Sequence, residues 1–130
     1  MSGNETLLDI AVHDLMAAKI LYNHKSDDET LLNQIGYFLQ QSVELSLKHH
    51  LEMQAIEYPR THDIEDLLSL LPDQEDFEYV DNLSGKITSL ESKTRYIKNF
   101  KVSKKTVDKV MKVAEKLIRD IQQKENVEVD

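Results

Sequence analysis

Three groups of side chains in this 130-residue chain have the types and spacing to do chemistry. Gln41, Glu44 and Lys48 follow three- and four-residue steps, which put them on one side of a helix where Glu44 and Lys48 can pair across a turn. Such a row can meet a ligand, and it can equally be a solvated or interface-facing helix pair. Arg60-Thr61-His62-Asp63 precedes an apolar run, so His62 is predicted in the first turn of a short helix, where terminal amides can hold a phosphate. The same residues also read as a capping motif. Lys93-Thr94-Arg95-Tyr96 joins a guanidinium that can fork onto phosphate to a ring that can stack on a base. Tyr96 is as well suited to a core, and Arg95 to pairing with the acidic run from Asp73 to Asp81.

The five histidines invite metal or acid-base readings, but their spacing argues against metal. His49 and His50 are adjacent and point about 100° apart on a helix, no His-Glu-x-x-His occurs, and His13 and His24 lie three turns apart. No Gly-x-x-x-x-Gly-Lys loop is present, which excludes a P-loop NTPase, and no Ser, His and Asp arrangement can be inferred. With no Cys, disulfides and thiolate chemistry are excluded as well. No metal and no cofactor are expected.

These residues must be positioned by helices. Leu8, Ala11, Leu15, Ala18 and Tyr22 predict a first helix over 4–24, capped by Asn4. Leu32, Ile35, Leu39, Val43 and Leu47 predict a second over 29–54, about 40 Å long, with Gly36, Ser42 and Ser46 suited to a close crossing. Pro59 ends that stretch and Thr61 is placed to cap a short third helix over 62–71. Phe77, Val80, Leu83, Ile87 and Leu90 predict a fourth over 75–92. The fifth begins at Ser103, with Val107, Val110, Ala114, Leu117 and Ile121 opposite Lys105, Lys109, Lys112 and Lys116. That lysine face can follow a phosphate backbone or simply meet water.

The expected fold is therefore all-α, an up-and-down bundle of about five helices in one domain over 1–124, with a frayed tail at 125–130. A composition of 40% hydrophobic and 31% charged residues, with three Gly and two Pro, is too apolar for disorder and too poor in turn residues for an antiparallel β protein. The start of the chain lacks the pattern of a secretory signal and no apolar stretch is long enough for a membrane span, so a cytoplasmic location is expected. A net charge of −8 argues against nucleic-acid binding over the whole surface. Residues 93–116 nevertheless carry nine basic against two acidic side chains, a local +7 that leaves −15 elsewhere.

Three segments, taken in order, resemble the HEPN family (higher eukaryotes and prokaryotes nucleotide-binding): Phe38 to Lys48, with Gln40, Gln41, Glu44 and Lys48; Tyr58 to Ile64 with Leu67-Leu68; and Thr94-Arg95-Tyr96. The resemblance extends from the stretch Ala11 to Leu21 to the run Ala114 to Leu117. It implies a helical bundle, commonly a homodimer paired through long helices, often encoded beside a minimal nucleotidyltransferase as a toxin and antitoxin couple. It also implies Lys48, His62, Arg95 and Tyr96 as candidate nucleotide contacts, with Gln41, Glu44 and Asp63 as polar residues of the family pattern.

Some members of that family are metal-independent ribonucleases, whose signature is Arg followed by His after four to six intervening residues. Arg60, Arg95 and Arg119 are the only arginines. At the required distances they have Glu65, Asp66 and Leu67; Phe100, Lys101 and Val102; and Lys124, Glu125 and Asn126. None is His, so this acid-base route has no obvious catalyst and the sequence argues against an enzyme. The expectation is a non-catalytic protein that binds a nucleotide, RNA or a nucleotidyltransferase-like partner. The alternatives are an RNase toxin pairing Arg95 with a distant His62 or His49, and a purely structural dimer or adaptor.

Overall fold

The computed structural model describes the backbone of residues 5–24, 29–96 and 102–129, and the side chains of 5–24, 31–90 and 102–126. The described residues form six α-helices: α1 (Leu7–Asn23), α2 (Glu29–Met53), α3 (Ile64–Ser69), α4 (Glu78–Asp81), α5 (Ser84–Tyr96) and α6 (Lys104–Val129), with a 3₁₀ turn at Gln74–Phe77 before α4. They form an all-α bundle, and the described residues contain no strand.

The first helix starts at Thr6, whose hydroxyl accepts from the Asp9 amide at 3.1 Å while the Thr6 amide donates to the Asp9 carboxylate at 3.0 Å. The expected cap, Asn4, lies outside the described residues. Ala11 and Ala18, fully buried, let α1 lie close against α2, and the Ser42 hydroxyl donates to the Ala11 carbonyl at 2.8 Å across the crossing. A methyl added at Gly36 would stand 3.3 Å from Leu90 of α5, so the small residues of α2 serve close approach on two sides.

The long α2 is the axis of the bundle, packed against α1, α3, α5 and α6. Ile35, Leu39, Val43, Leu47 and Leu51 run down its buried stripe. Opposite them, α6 presents Val107, Val110, Ala114, Leu117 and Ile121, with the Ser103 hydroxyl capping its first turn through the Thr106 amide at 3.1 Å. Outside the core, Lys19 meets Glu115 at 2.7 Å and the Tyr22 hydroxyl donates to Asp108 at 2.5 Å, tying α1 to α6. The α6 helix continues through Val129, five residues into the stretch expected to fray.

One expected helix is broken. Residues 75–92 form the 3₁₀ turn, the single turn of α4 and then α5. The apolar steps from Phe77 to Leu90 are mostly three residues, each falling about 60° short of a turn, so an unbroken helix would carry the two ends of the stripe about 140° apart. The break at Asn82 and Leu83, whose amides close turns onto Glu78 and Val80, keeps Phe77, Val80, Ile87 and Leu90 all in the core.

Candidate functional site

The polar residues of α2 converge with the loop before α3. The chain leaves α2 through Ala55, which holds a positive φ of 58°, while the Ile56 amide closes onto the Leu51 carbonyl at 2.9 Å. The reversal carries Tyr58 back beside the helix it has just left. Its hydroxyl donates to Glu52 at 2.5 Å and its ring centroid lies 5.7 Å from the Lys48 ammonium. Pro59 and Arg60 are exposed, and Asp63 then caps α3, its carboxylate accepting from the Asp66 amide at 3.1 Å. Thr61, expected as the cap, instead accepts from the Asp63 amide at 3.0 Å. Accordingly His62 precedes the helix rather than opening it, and of the amides expected to hold an anion that of Asp66 is occupied by the Asp63 carboxylate and that of Ile64 by the Thr88 hydroxyl.

At the centre lies Glu44, with a side chain only 7% exposed. Gln40 donates to its Oε1 at 2.8 Å, Lys48 to its Oε2 at 2.9 Å, and His62 Nδ1 lies 3.0 and 3.1 Å from its two oxygens. Burial opposes the charge on Glu44, but the hydrogen bonds from Lys48, Gln40 and His62 outweigh it and hold the carboxyl below its usual range. The carboxylate is thus ionised and the proton shared with His62 sits on Nδ1. The ring is 66% exposed, which leaves Nε2 for another partner. The corner therefore consists of an exposed imidazole and a largely covered ammonium arranged around a carboxylate already committed to the protein, with the exposed Arg60 two residues before the imidazole in the chain. Such a rim can accept an anion without leaving a buried charge unpaired.

Of the residues singled out by sequence, Glu44, Lys48 and His62 are in one cluster, and Asp63 supports it as a helix cap. Gln41 is half-buried on the neighbouring face, and it is Gln40, four residues from Glu44, that bonds the carboxylate. The side chains of Arg95 and Tyr96 lie outside the described residues. Their backbone is at the far end of α5, about 10 Å along the axis from Thr88, whose hydroxyl accepts from the Ile64 amide at 3.0 Å. Since Leu90 stands beside Gly36, that end points toward the start of α2 and away from His62. On α6, Lys105, Lys109 and Lys112 are exposed, whereas Lys116 donates to Asp120 at 3.0 Å and lies over the Tyr79 ring.

Sequence reasoning missed the partners of the adjacent histidines, which are both buried. Pointing apart on the helix, His49 meets Glu125 of α6 and His50 meets Asp73 at 2.9 Å. His49 is therefore closed to a substrate. Among the described residues no group of three His, Asp or Glu side chains is placed to hold a metal ion, and no helix is long and apolar enough to cross a membrane.

Neither the curated proteins nor the solved structures contain a match to the chain. The family model described as HEPN domain matches residues 4–124, nearly the whole chain and all three polar segments of the corner and of α5. The chain belongs to the HEPN domain family.

Proposed function

We propose that this HEPN protein binds a nucleotide, or a nucleotide end of RNA, at the corner formed by Lys48, Arg60 and His62, without cutting it. Family membership carries a nucleotide- or RNA-related role. The observation that supports this corner is the His62 ring, clamped at Nδ1 by a buried carboxylate while the ring is 66% exposed. An imidazole so oriented, with the exposed Arg60 two residues before it in the chain, suits a phosphate oxygen. The non-catalytic reading rests on the arginines, none of which has a His at nuclease spacing, and on the burial of His49 against Glu125. A second copy of the chain and a nucleotidyltransferase-like protein are the proposed partners, in the manner of a toxin and antitoxin couple. The exposed Met16 and Ile20 on the outer side of α1 favour such an apolar contact.

Calorimetric titration with ATP, GTP and a short RNA tests the proposal. Binding should weaken about tenfold in His62→Ala and in Arg60→Ala. No heat above dilution at about millimolar ligand would remove it. Incubation with RNA under chelator should leave the RNA intact, and cleavage lost in His62→Ala would favour the RNase reading instead.

A further inference from the structure

Away from the corner, the outer crest of α6 carries charge that the fold does not use. At about 100° per residue, Lys105, Lys109, Lys112, Lys116 and Arg119 fall within an arc of about 80° opposite the buried stripe of the helix. The row is about 21 Å long. All five side chains are exposed, and no acidic residue lies among them. Lys116 donates to Asp120 at 3.0 Å and lies over the Tyr79 ring, whereas Lys105, Lys109, Lys112 and Arg119 make no ion pair or hydrogen bond among the described residues.

The acids of the same helix are drawn to other elements. Asp108 accepts from Tyr22 and Glu115 from Lys19, both on α1, while Asp120 accepts from Tyr79 of α4 and Glu125 meets His49 of α2. The crest therefore stays positive on a chain whose net charge is −8. The same bonds close the flanks of α6 against α1 and α4, so that only the crest projects.

What the crest lacks narrows its partner. Among the described residues no large apolar side chain of α6 is exposed, and a protein interface needs such anchors at its centre. A helix that lies on a membrane buries an apolar face in lipid, and that face of α6 is in the core. Single-stranded nucleic acid is held by stacking on aromatic rings as well as by charge, and α6 has no aromatic residue. A row of cations without anchors or rings fits a phosphate backbone whose bases are already paired. We infer that the crest of α6 binds double-stranded RNA along its backbone, without regard to sequence. Reading B-DNA takes an element free to enter the major groove. The wide, shallow groove of an RNA duplex is met instead through phosphates and 2′-hydroxyls, and Gln123 continues the row with an exposed amide suited to a hydroxyl. The crest is opposite the face that packs on α2, and the inference does not depend on the nucleotide corner.

Fluorescence anisotropy of the full chain with a labelled RNA duplex of arbitrary sequence, roughly 20 base pairs long, tests the inference. Micromolar binding is expected at about 50 mM salt, weakening about 150-fold by about 200 mM, the slope of about −3.6 that four neutralised phosphates give. Lys109→Glu combined with Lys112→Glu should weaken binding by about tenfold or more and roughly halve that slope. Both positions are exposed, so circular dichroism of the variant should match the parent. Lys109→Glu alone should weaken binding more than Lys86→Glu, the same change of charge at an exposed position of α5; equal weakening by the two would show only diffuse attraction and overturns the site. So does the absence of binding at about 50 mM salt, or tighter binding of the single strand or of a DNA duplex of the same length. A poly-glutamate chain bound as tightly as the duplex would overturn it in favour of an acidic protein partner. Titration of the parent with ATP reads the corner separately: duplex binding without ATP binding removes the corner alone, and the reverse removes the crest alone.

Discussion

Replacing Glu44 with Gln keeps the shape of the corner and removes its organising charge. Lys48, with a side chain 14% exposed, would face a neutral amide. Leaving one member of a buried pair uncompensated costs about 3–5 kcal/mol; the flexible Lys48 stem can lift its ammonium partly into water, which reduces the expected loss to about 2–3 kcal/mol. Urea unfolding followed by far-ultraviolet circular dichroism measures it directly. With a slope of about 1.5 kcal/mol/M, the midpoint should fall by about 1.3–2 M at unchanged slope. The pH dependence gives an independent check. Because the folded carboxyl is held below its usual 4.5, its contribution is fully present above that value and is lost as pH falls through the folded one. The gap between parent and Glu44→Gln should therefore be flat from neutrality down to about pH 5.5 and narrow below about 4.5. A variant within about 0.5 kcal/mol of the parent, or a gap that does not narrow in acid, would refute the account of Glu44 as a buried anion that organises this corner.

Other perturbations have equally defined outcomes. Ala55→Gly should stabilise by about 0.5–1 kcal/mol in the same unfolding assay, since glycine relieves the positive φ at that exposed turn. Leu39→Ala, at a fully buried position of α2, should cost about 2–5 kcal/mol. Burial pushes the Asp14 carboxyl up to about 6 and its Oδ2 is unpartnered among the described residues. The parent should accordingly lose stability as pH rises from about 4 through 6, and Asp14→Asn should remove that loss, with a higher urea midpoint at pH 8 and little difference at pH 4.

The fold was legible wherever apolar residues recur at helical spacing. The stripes of α1, α2 and α6 led directly to the helices that carry them, and Ser103 marked the start of α6. The region from Phe77 to Leu90 misled because its apolar residues are dense enough for one helix, while their accumulated angular lag demands two axes. Polar residues were harder to place. Gln40 and Gln41 both lie one turn from Glu44, and only the path of the loop after Ala55, which swings His62 over the carboxylate, decides which glutamine faces it. His49 and His50 were dismissed as metal ligands on spacing, yet that same angle sends them to two different elements. Their partners, Glu125 and Asp73, are far away in sequence and have no local signature.

The ties between α1 and α6 join residues 96 and 86 positions apart, Lys19 with Glu115 and Tyr22 with Asp108. By contrast, α1 and α2 are neighbours along the chain and share the Ser42 to Ala11 contact. Closing the larger loop carries the greater entropic cost, although that cost grows only slowly with length. This asymmetry predicts that the α1–α2 hairpin forms early from local contacts and that α6 docks late onto a surface already built. Its departure would be the first large opening of the native state, so hydrogen exchange in α6 should report motions that leave the hairpin intact.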